Sequence, residues 1–399
     1  MYSTWIVSVL YYLRDVNALM QQNRVKAWAA LITLASLVMT SFFSSVTLAV
    51  STIQSSSWSS HSSSGIEKSA RVNAGSHNPI LEDSQQGDIQ YVRLEGSELK
   101  IAHKYNADND MWMIFDFAGA NALYGMKEWR LSPNTKPGVS SDLDRSSVML
   151  MPDISDWIGP YIVGADQHGN GKGQEFTGGN HNYDGSVNGS VTGRTLRYDI
   201  RVDGKKLKGK KIASAKRIKI QVVNRIQGFN TKEADGSGRE ILQEAITYVI
   251  EGGKVDVHVK VTPLEDITLY RYYGLQSVNG AWNQDIRYFA GNTEVAQHEA
   301  SKYSDSGSKA AHPGVDQYWL RSAIQNGTTH NLLVSLDREY GLGRLDFLAD
   351  DQPIAFTQEY GKSYFLQVYN KEAHLKRRHS IAWQGSYHFF STMNPNTHE

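Results

Sequence analysis

From Asp88 onward the apolar residues recur in short alternating runs, and no stretch holds a helical period for three turns. That pattern predicts an all-β fold. In the clearest run, Val255, Val257, Val259 and Val261 interleave with Asp256, His258 and Lys260, which describes a strand with one buried and one wet face. Two hairpins are predicted where such runs flank glycine-bearing turns. Residues 90–94 and 99–103 flank Glu95-Gly96-Ser97, and residues 246–250 and 255–261 flank Glu251-Gly252-Gly253-Lys254. Further strands are expected over 111–117, 217–224, 267–273, 331–336, 363–369 and 379–390. Strands in this number, joined by turns, predict two stacked antiparallel sheets, a β-sandwich of the jelly-roll or super-sandwich type. No internal repeat is visible, which argues against a propeller or β-helix.

Ahead of this pattern, residues 27–50 carry no charge and include Trp28, Leu31, Ile32, Leu34, Leu37, Val38, Phe42 and Phe43, with Arg24 and Lys26 before them. Basic residues, an apolar run and an end at Val46-Thr47-Leu48-Ala49 have the layout of a cleavable export signal cut near Ala49. An uncleaved anchor helix over 27–50 is the alternative, because the run is long enough to span a bilayer. A start at Met20 gives the ordinary signal layout, whereas a start at Met1 adds a leader containing the apolar stretch 5–13. Residues 50–80 are dominated by serine and read as a disordered tether that buries too little apolar surface to order itself. The expected organisation is a leader and signal at 1–49, the tether at 50–80 and a β-sandwich catalytic or binding domain at 81–399. The protein is therefore expected to be secreted or periplasmic, or else membrane-anchored by residues 27–50.

The absence of cysteine from the 399 residues excludes a thiol nucleophile, a cysteine-bound zinc and a disulfide framework. Lys plus Arg and Asp plus Glu balance at 41 each, so no global field draws the chain to nucleic acid, and membrane contact is expected only through the N-terminal segment. With 21 tyrosines, 9 tryptophans and 34 glycines against 9 prolines, aromatic surfaces are available either to fill a large core or to stack on sugars. The basic run Gly204-Lys205-Lys206-Leu207-Lys208-Gly209-Lys210-Lys211 reads as a solvated turn or as a contact for an acidic polymer.

The densest polar cluster begins at Asp156-Trp157-Ile158-Gly159-Pro160-Tyr161 and passes into Thr177-Gly178-Gly179-Asn180-His181-Asn182-Tyr183-Asp184-Gly185. Glycines let backbone approach a ligand, while Asn180, His181, Tyr183 and Asp184 supply donors, acceptors and a titratable ring. Three readings stand side by side. Asn180, Asn182, Asp184 and Gly185 match the opening of a calcium loop, although the closing position holds Val191 where an acid belongs. A structural glycine-rich hairpin is the second reading. The third is β-elimination on a uronic-acid polysaccharide, which requires the sugar carboxylate to be neutralised, the adjacent proton removed and the leaving oxygen protonated. His181 and Tyr183 stand two positions apart, on one side of an extended segment, as a base and acid pair would. No cofactor is expected, calcium being the one alternative, and the implied partner is a polysaccharide.

A second cluster runs Tyr270-Arg271-Tyr272-Tyr273-Gly274-Leu275-Gln276 and Trp282-Asn283-Gln284-Asp285-Ile286-Arg287-Tyr288-Phe289. Arg271 and Arg287 suit bidentate pairing with a uronate carboxylate or an ordinary inter-strand ion pair, and Trp282 suits stacking on a pyranose ring. Asn180-His181-Asn182-Tyr183, with Arg271, Gln276 and Tyr288 on strands, resembles in residue type the Asn/Gln, His, Arg and Tyr sets of secreted β-sandwich polysaccharide lyases. Tyr288-Phe289-Ala290-Gly291-Asn292 resembles the tyrosine-bearing strand of jelly-roll alginate lyases. The resemblance implies catalytic roles for Asn180, His181, Tyr183, Arg271 and Tyr288, with Asn182 and Gln276 lining the substrate, and the two clusters add Trp157, Tyr161, Trp282 and Arg287 as expected substrate contacts.

Two other classes compete with the lyase. A glycoside hydrolase needs two facing carboxylates, and Glu175, Asp184, Asp285, Glu294 and Glu299 are the candidates. A non-catalytic carbohydrate-binding or adhesion module needs only the aromatic faces and glycine loops. No Gly-x-Ser-x-Gly elbow, His-x-His or His-Glu-x-x-His occurs, so serine-triad and histidine-metal chemistry find no support. The sequons at Asn188 and Asn326 matter only in a eukaryotic secretory host.

Overall fold

The structure is a computed structural model that describes residues 89–393, apart from 152–155, 171–172, 184–188, 209–210 and 325–326, and without the side chains of 211–213. The leader and tether of residues 1–80, together with Asp184, Gly185, Asn188 and Asn326, lie outside the described residues.

Five strands open the described chain: β1 (Gln90–Glu95), β2 (Glu98–Lys104), β3 (Asn109–Ala118), β4 (Leu123–Pro133) and β5 (Val148–Met151). Next come β6 (Tyr161–Ala165), β7 (Gly193–Val202), β8 (Lys205–Lys206) and β9 (Lys211–Ala215), then the long β10 (Ile218–Lys232), β11 (Gly238–Glu251) and β12 (Lys254–Pro263). They are followed by β13 (Ile267–Tyr272), β14 (Gln276–Val278), β15 (Asp285–Ala290), β16 (Thr293–Glu299), β17 (Ser304–Asp305), β18 (Val315–Arg321) and β19 (Thr328–Leu336). The last are β20 (Phe347–Leu348), β21 (Ala355–Gln358), β22 (Lys362–Phe365), β23 (Val368–Tyr369), β24 (Ala373–Leu375) and β25 (Ile381–Met393). The described residues hold no α-helix.

Alternation makes these strands as expected. In β12 the four valines are buried to within 1% of complete, while Asp256, His258 and Lys260 face outward, so a one-residue slip would drive every valine into water. Gly96 and Gly252 turn the two predicted hairpins with φ of 64° and 57°, a region that glycine enters without steric cost.

One layer is a ten-stranded antiparallel sheet, β16-β15-β18-β19-β25-β12-β11-β10-β7-β8. Three sheets face it: the six-stranded β5-β4-β3-β2-β1-β9, a five-stranded sheet in which β13 carries β6 and the run β20-β23, with β24 also on β13, and the four-stranded β14-β22-β21-β17. Among the described residues every strand pairing is antiparallel except β20 with β23. Aromatic residues join the layers. The six-stranded sheet reaches across through Phe115 to Tyr248 at 5.4 Å and Trp129 to Phe389 at 3.7 Å. The smaller sheets reach across through the Trp383 Nε1–H to Tyr272 hydroxyl bond of 2.8 Å, and through Tyr318 and Phe365 with ring centroids 5.1 Å apart. The result is the antiparallel β-sandwich that the pattern predicted.

The expected strand over 363–369 is a correction. Residues 363–365 belong to β22 and residues 368–369 to β23, in two different sheets. The chain crosses between them by Phe365 N–H donating to Leu275 O and Gln367 N–H donating to Tyr272 O. Every residue from Ser363 to Val368 is buried, Gln367 among them, so no exposed position marks the break. The basic run is in part the short β8, where Lys206 pairs with Asp199.

Candidate functional site

The loop that carries the polar cluster folds back on β6. Tyr161 and Thr177 exchange two backbone hydrogen bonds of 2.7 and 2.9 Å, and Gly178 and Gly179 then reverse the chain with φ of 71° and 51°. Gly179 has a second constraint, because a Cβ there would collide with Asp156 Oδ1. Asn121 clamps the reversal from the β3–β4 turn: its Nδ2 donates to Gly179 O and His181 O, both at 2.9 Å, and its Oδ1 accepts from Thr192 N–H at 2.7 Å. The Asn180 side-chain oxygen accepts from Ala120 N–H at 2.5 Å. Asn180 therefore braces the loop. Among the described residues no group of three or more acidic or histidine side chains is placed to hold a metal.

This reversal wraps Asp156, a residue only 5% exposed. Its Oδ1 accepts from Asn180 N–H, and its Oδ2 stands 3.0 Å from Lys362 Nζ and 3.5 Å from His181 Nε2. Burial pushes this carboxyl up, but the hydrogen bond from His181 and the Lys362 ammonium outweigh it and hold Asp156 below the usual carboxylate value. A buried anion thus orients an imidazole and an ammonium that both reach solvent, His181 by about a third of its side chain and Lys362 by 18%.

His181 continues into an aromatic cluster. Its ring lies 5.1 Å from Phe176, and Phe176 lies 5.5 Å from Tyr273. The Arg271 guanidinium sits 5.9 Å from the Phe176 ring and 4.3 Å from that of Tyr369, with Nη1 3.5 Å from the Tyr273 hydroxyl. Arg271 has no carboxylate partner among the described residues. Arg271 and Tyr273 share one side of the chain through the two-residue period at the end of β13. Burial raises the Tyr273 phenol, and Arg271 only partly opposes it. The β21–β22 hairpin closes the other side, with Tyr364 4.9 Å from Tyr273, Lys362 Nζ 5.6 Å from the Tyr364 ring and the Tyr360 and Tyr364 hydroxyls 2.5 Å apart.

His181 and Arg271 thus come together, and Asn180 supports them. The other expected site residues lie elsewhere. Tyr183 is fully buried and donates to Gly228 O at 2.9 Å. It does not share a face with His181, because the segment turns after Asn182 and does not stay extended. Asn182 is buried and donates to Gly189 O. Tyr288 is fully buried, bonds Ser304 Oγ at 3.1 Å and is pushed by burial up to about 12. Trp157 and Trp282 fill the core against Tyr387 and Phe389, and Tyr161 is buried with its hydroxyl donating to Glu244 at 2.6 Å. Gln276 is fully buried, with its amide against Gly159. Arg287 pairs with Glu294 at 3.2 Å and Asp285 at 3.4 Å on the ten-stranded sheet. Of the hydrolase candidates, Asp285 and Glu294 share Arg287, and Glu299 pairs with Lys302 at 2.8 Å.

Asp156 and Tyr273 fell in the two clusters but were given no role of their own in the sequence, and Phe176, Tyr364 and Lys362 were not singled out. Tyr273 had a signal, its two-residue spacing from Arg271. Lys362 had none, since 206 positions separate it from Asp156.

No family model and no curated protein matches the chain. Among solved structures, it is similar to a GH36 α-galactosidase from Geobacillus stearothermophilus, with 10% identity, coverage of 76% of this chain and 41% of that one, and a TM-score of 0.36. It is similar also to the galactosidase domain of an α-galactosidase–sucrose kinase, with 9% identity, coverage of 75% and 42%, and a TM-score of 0.36. A galactose mutarotase-like protein from Clostridium acetobutylicum shares 9% identity, with coverage of 78% of this chain and 100% of that one and a TM-score of 0.29. The chain spans about two fifths of the length of the two galactosidase structures, and at these scores the likeness assigns neither a family nor an activity.

Proposed function

We propose that the protein is an exported lyase that cleaves an anionic, uronate-containing polysaccharide by β-elimination at the Arg271–His181–Tyr273 cluster. The observation that carries this reading is the convergence of a cation, an imidazole and a phenol on the single ring of Phe176.

Arg271, with no carboxylate of its own among the described residues, receives the sugar carboxylate in a bidentate pair. Neutralising that charge acidifies the adjacent C5–H bond. His181 removes the proton: Asp156 holds a proton on Nε2, which leaves the Nδ1 lone pair as the base. The electron pair forms the C4–C5 double bond, the C4–O bond breaks, and the leaving oxygen takes the proton of Tyr273. That phenol keeps its proton until then, because burial raises it.

Hydrolysis fits less well. It needs two carboxylates across the scissile bond, and the carboxylate against this cluster, Asp156, is buried and shared between Lys362 and His181.

The test is to incubate the full-length chain with alginate, polygalacturonate and hyaluronate and to follow the ultraviolet absorbance of the conjugated double bond. The expected result is a rise with one polymer that falls about a hundredfold or more in His181→Ala and in Tyr273→Phe. Reducing ends without absorbance would point to hydrolysis, and retention of polymer without either signal to a binding module.

A further inference from the structure

Tyr360 and Tyr303 are the two most exposed aromatic side chains among the described residues, at 72% and 53%. Scattered single exposures need no explanation, but these two are joined through buried rings. Tyr303 packs on Phe356 with centroids 6.4 Å apart, Phe356 stacks on Tyr364 at 4.8 Å, and the Tyr360 hydroxyl bonds that of Tyr364. Phe356 and Tyr364 are 7% and 4% exposed and form a floor between the two exposed rings. The middle of this strip abuts the candidate site, since Tyr273 touches both Tyr364, at 4.9 Å, and Phe356, at 6.0 Å. The β21–β22 hairpin supplies three of the four rings, and the pairing of β17 with β21 brings Tyr303 beside them.

We infer that Tyr303 and Tyr360, braced from beneath by Phe356 and Tyr364, form a stacking strip that seats the sugar rings next to the cleaved bond, so that the protein reads a chain of several sugars. The inference rests on the polysaccharide reading above and extends it to residues outside the reacting cluster. Pyranose rings present apolar C–H faces that cover aromatic surface, while phenol hydroxyls at the edge bond sugar hydroxyls. Lys362 Nζ lies 5.6 Å from the Tyr364 ring and Arg271 Nη1 3.5 Å from the Tyr273 hydroxyl, so the positive charges border the middle of the strip.

The test is affinity electrophoresis of the full-length His181→Ala protein through gels containing alginate, polygalacturonate or hyaluronate, which reads binding without turnover. Adding Tyr303→Ala and Tyr360→Ala is expected to weaken retardation about tenfold, whereas Tyr303→Phe with Tyr360→Phe keeps the rings and the retardation. Equal retardation of the alanine variant and its parent overturns the strip while leaving the lyase reading intact. Equal loss in the phenylalanine variant also overturns stacking. If wild-type protein makes no unsaturated ends but its retardation depends on the two rings, the strip stands and the lyase reading falls. No retardation by any of the three polymers overturns both.

Discussion

A carboxylate held inside a protein by a backbone amide, an ammonium and an imidazole is hard to replace, because removing its charge leaves the other groups desolvated without a partner. Asp156 is in that position. Asp156→Asn keeps the shape and loses the charge, so it is expected to lower stability by about 3 kcal/mol, read from the urea midpoint at neutral pH. It also frees His181 from its proton-fixing partner, so turnover should fall further than stability explains. A urea midpoint equal to wild type would show that Lys362 and His181 do not depend on the charge. Single residues were legible in the sequence only where their chemistry was local. The glycines beside Asn180 and His181 announced a loop with a task, and Arg271 stood out among rings. Tyr183 and Tyr288 looked equally suitable, yet their hydroxyls serve Gly228 and Ser304 in the interior. A phenol can terminate in the core as readily as in a site, and nothing short of the packing separates the two.

At the scale of elements, β25 shows how tightly the smaller sheets rest on the large one. Gly385 lies within it, opposite Leu336 of β19 on one side and Val257 of β12 on the other. A Cβ there would meet the backbone oxygen of Ser335 and the Leu275 side chain, which descends from the facing layer. Glycine inside a strand weakens it in isolation, and here it is required by close approach. Gly385→Ala is expected to cost about 2 kcal/mol by overpacking, visible as a lowered Tm. A melting curve unchanged from wild type would mean that Leu275 moves aside freely. Elements with one wet face were legible, because alternation records the difference between sides, as in β12. Where both faces are covered the record disappears, so β22 and β23 read as one strand although they serve two sheets. The Asp156–Lys362 pairing needed the whole sandwich to close before either residue had a partner.

For the molecule as a whole, two histidines on facing sheets make stability depend on pH. His103 stands on β2 in the six-stranded sheet and His388 on β25 in the ten-stranded sheet, near the β11–β12 turn, where Phe389 N–H donates to Gly253 O at 2.9 Å. Burial drives His103 down to about 3, with a further push from His388, and burial together with Lys254 drives His388 down to about 4. Both are neutral in the folded protein above those values, whereas in the unfolded chain they protonate from about 6.5 downward. The unfolded state therefore binds more protons throughout the interval between the unfolded and folded values, and stability falls as pH falls through it. The loss begins near pH 6.5 and is complete only below the folded values. Between pH 7.5 and 5 each histidine is expected to remove about 2 kcal/mol. Asp156 adds nothing in that window, because a depressed carboxyl gives up its contribution only below its ordinary value near 3.8. Urea unfolding at the two pH values measures the fall, and a His103→Gln, His388→Gln double variant should reduce it, with the remainder left to His330 and His258, which burial also lowers. A slope that survives the double substitution undiminished would mean that the acid sensitivity resides in other groups.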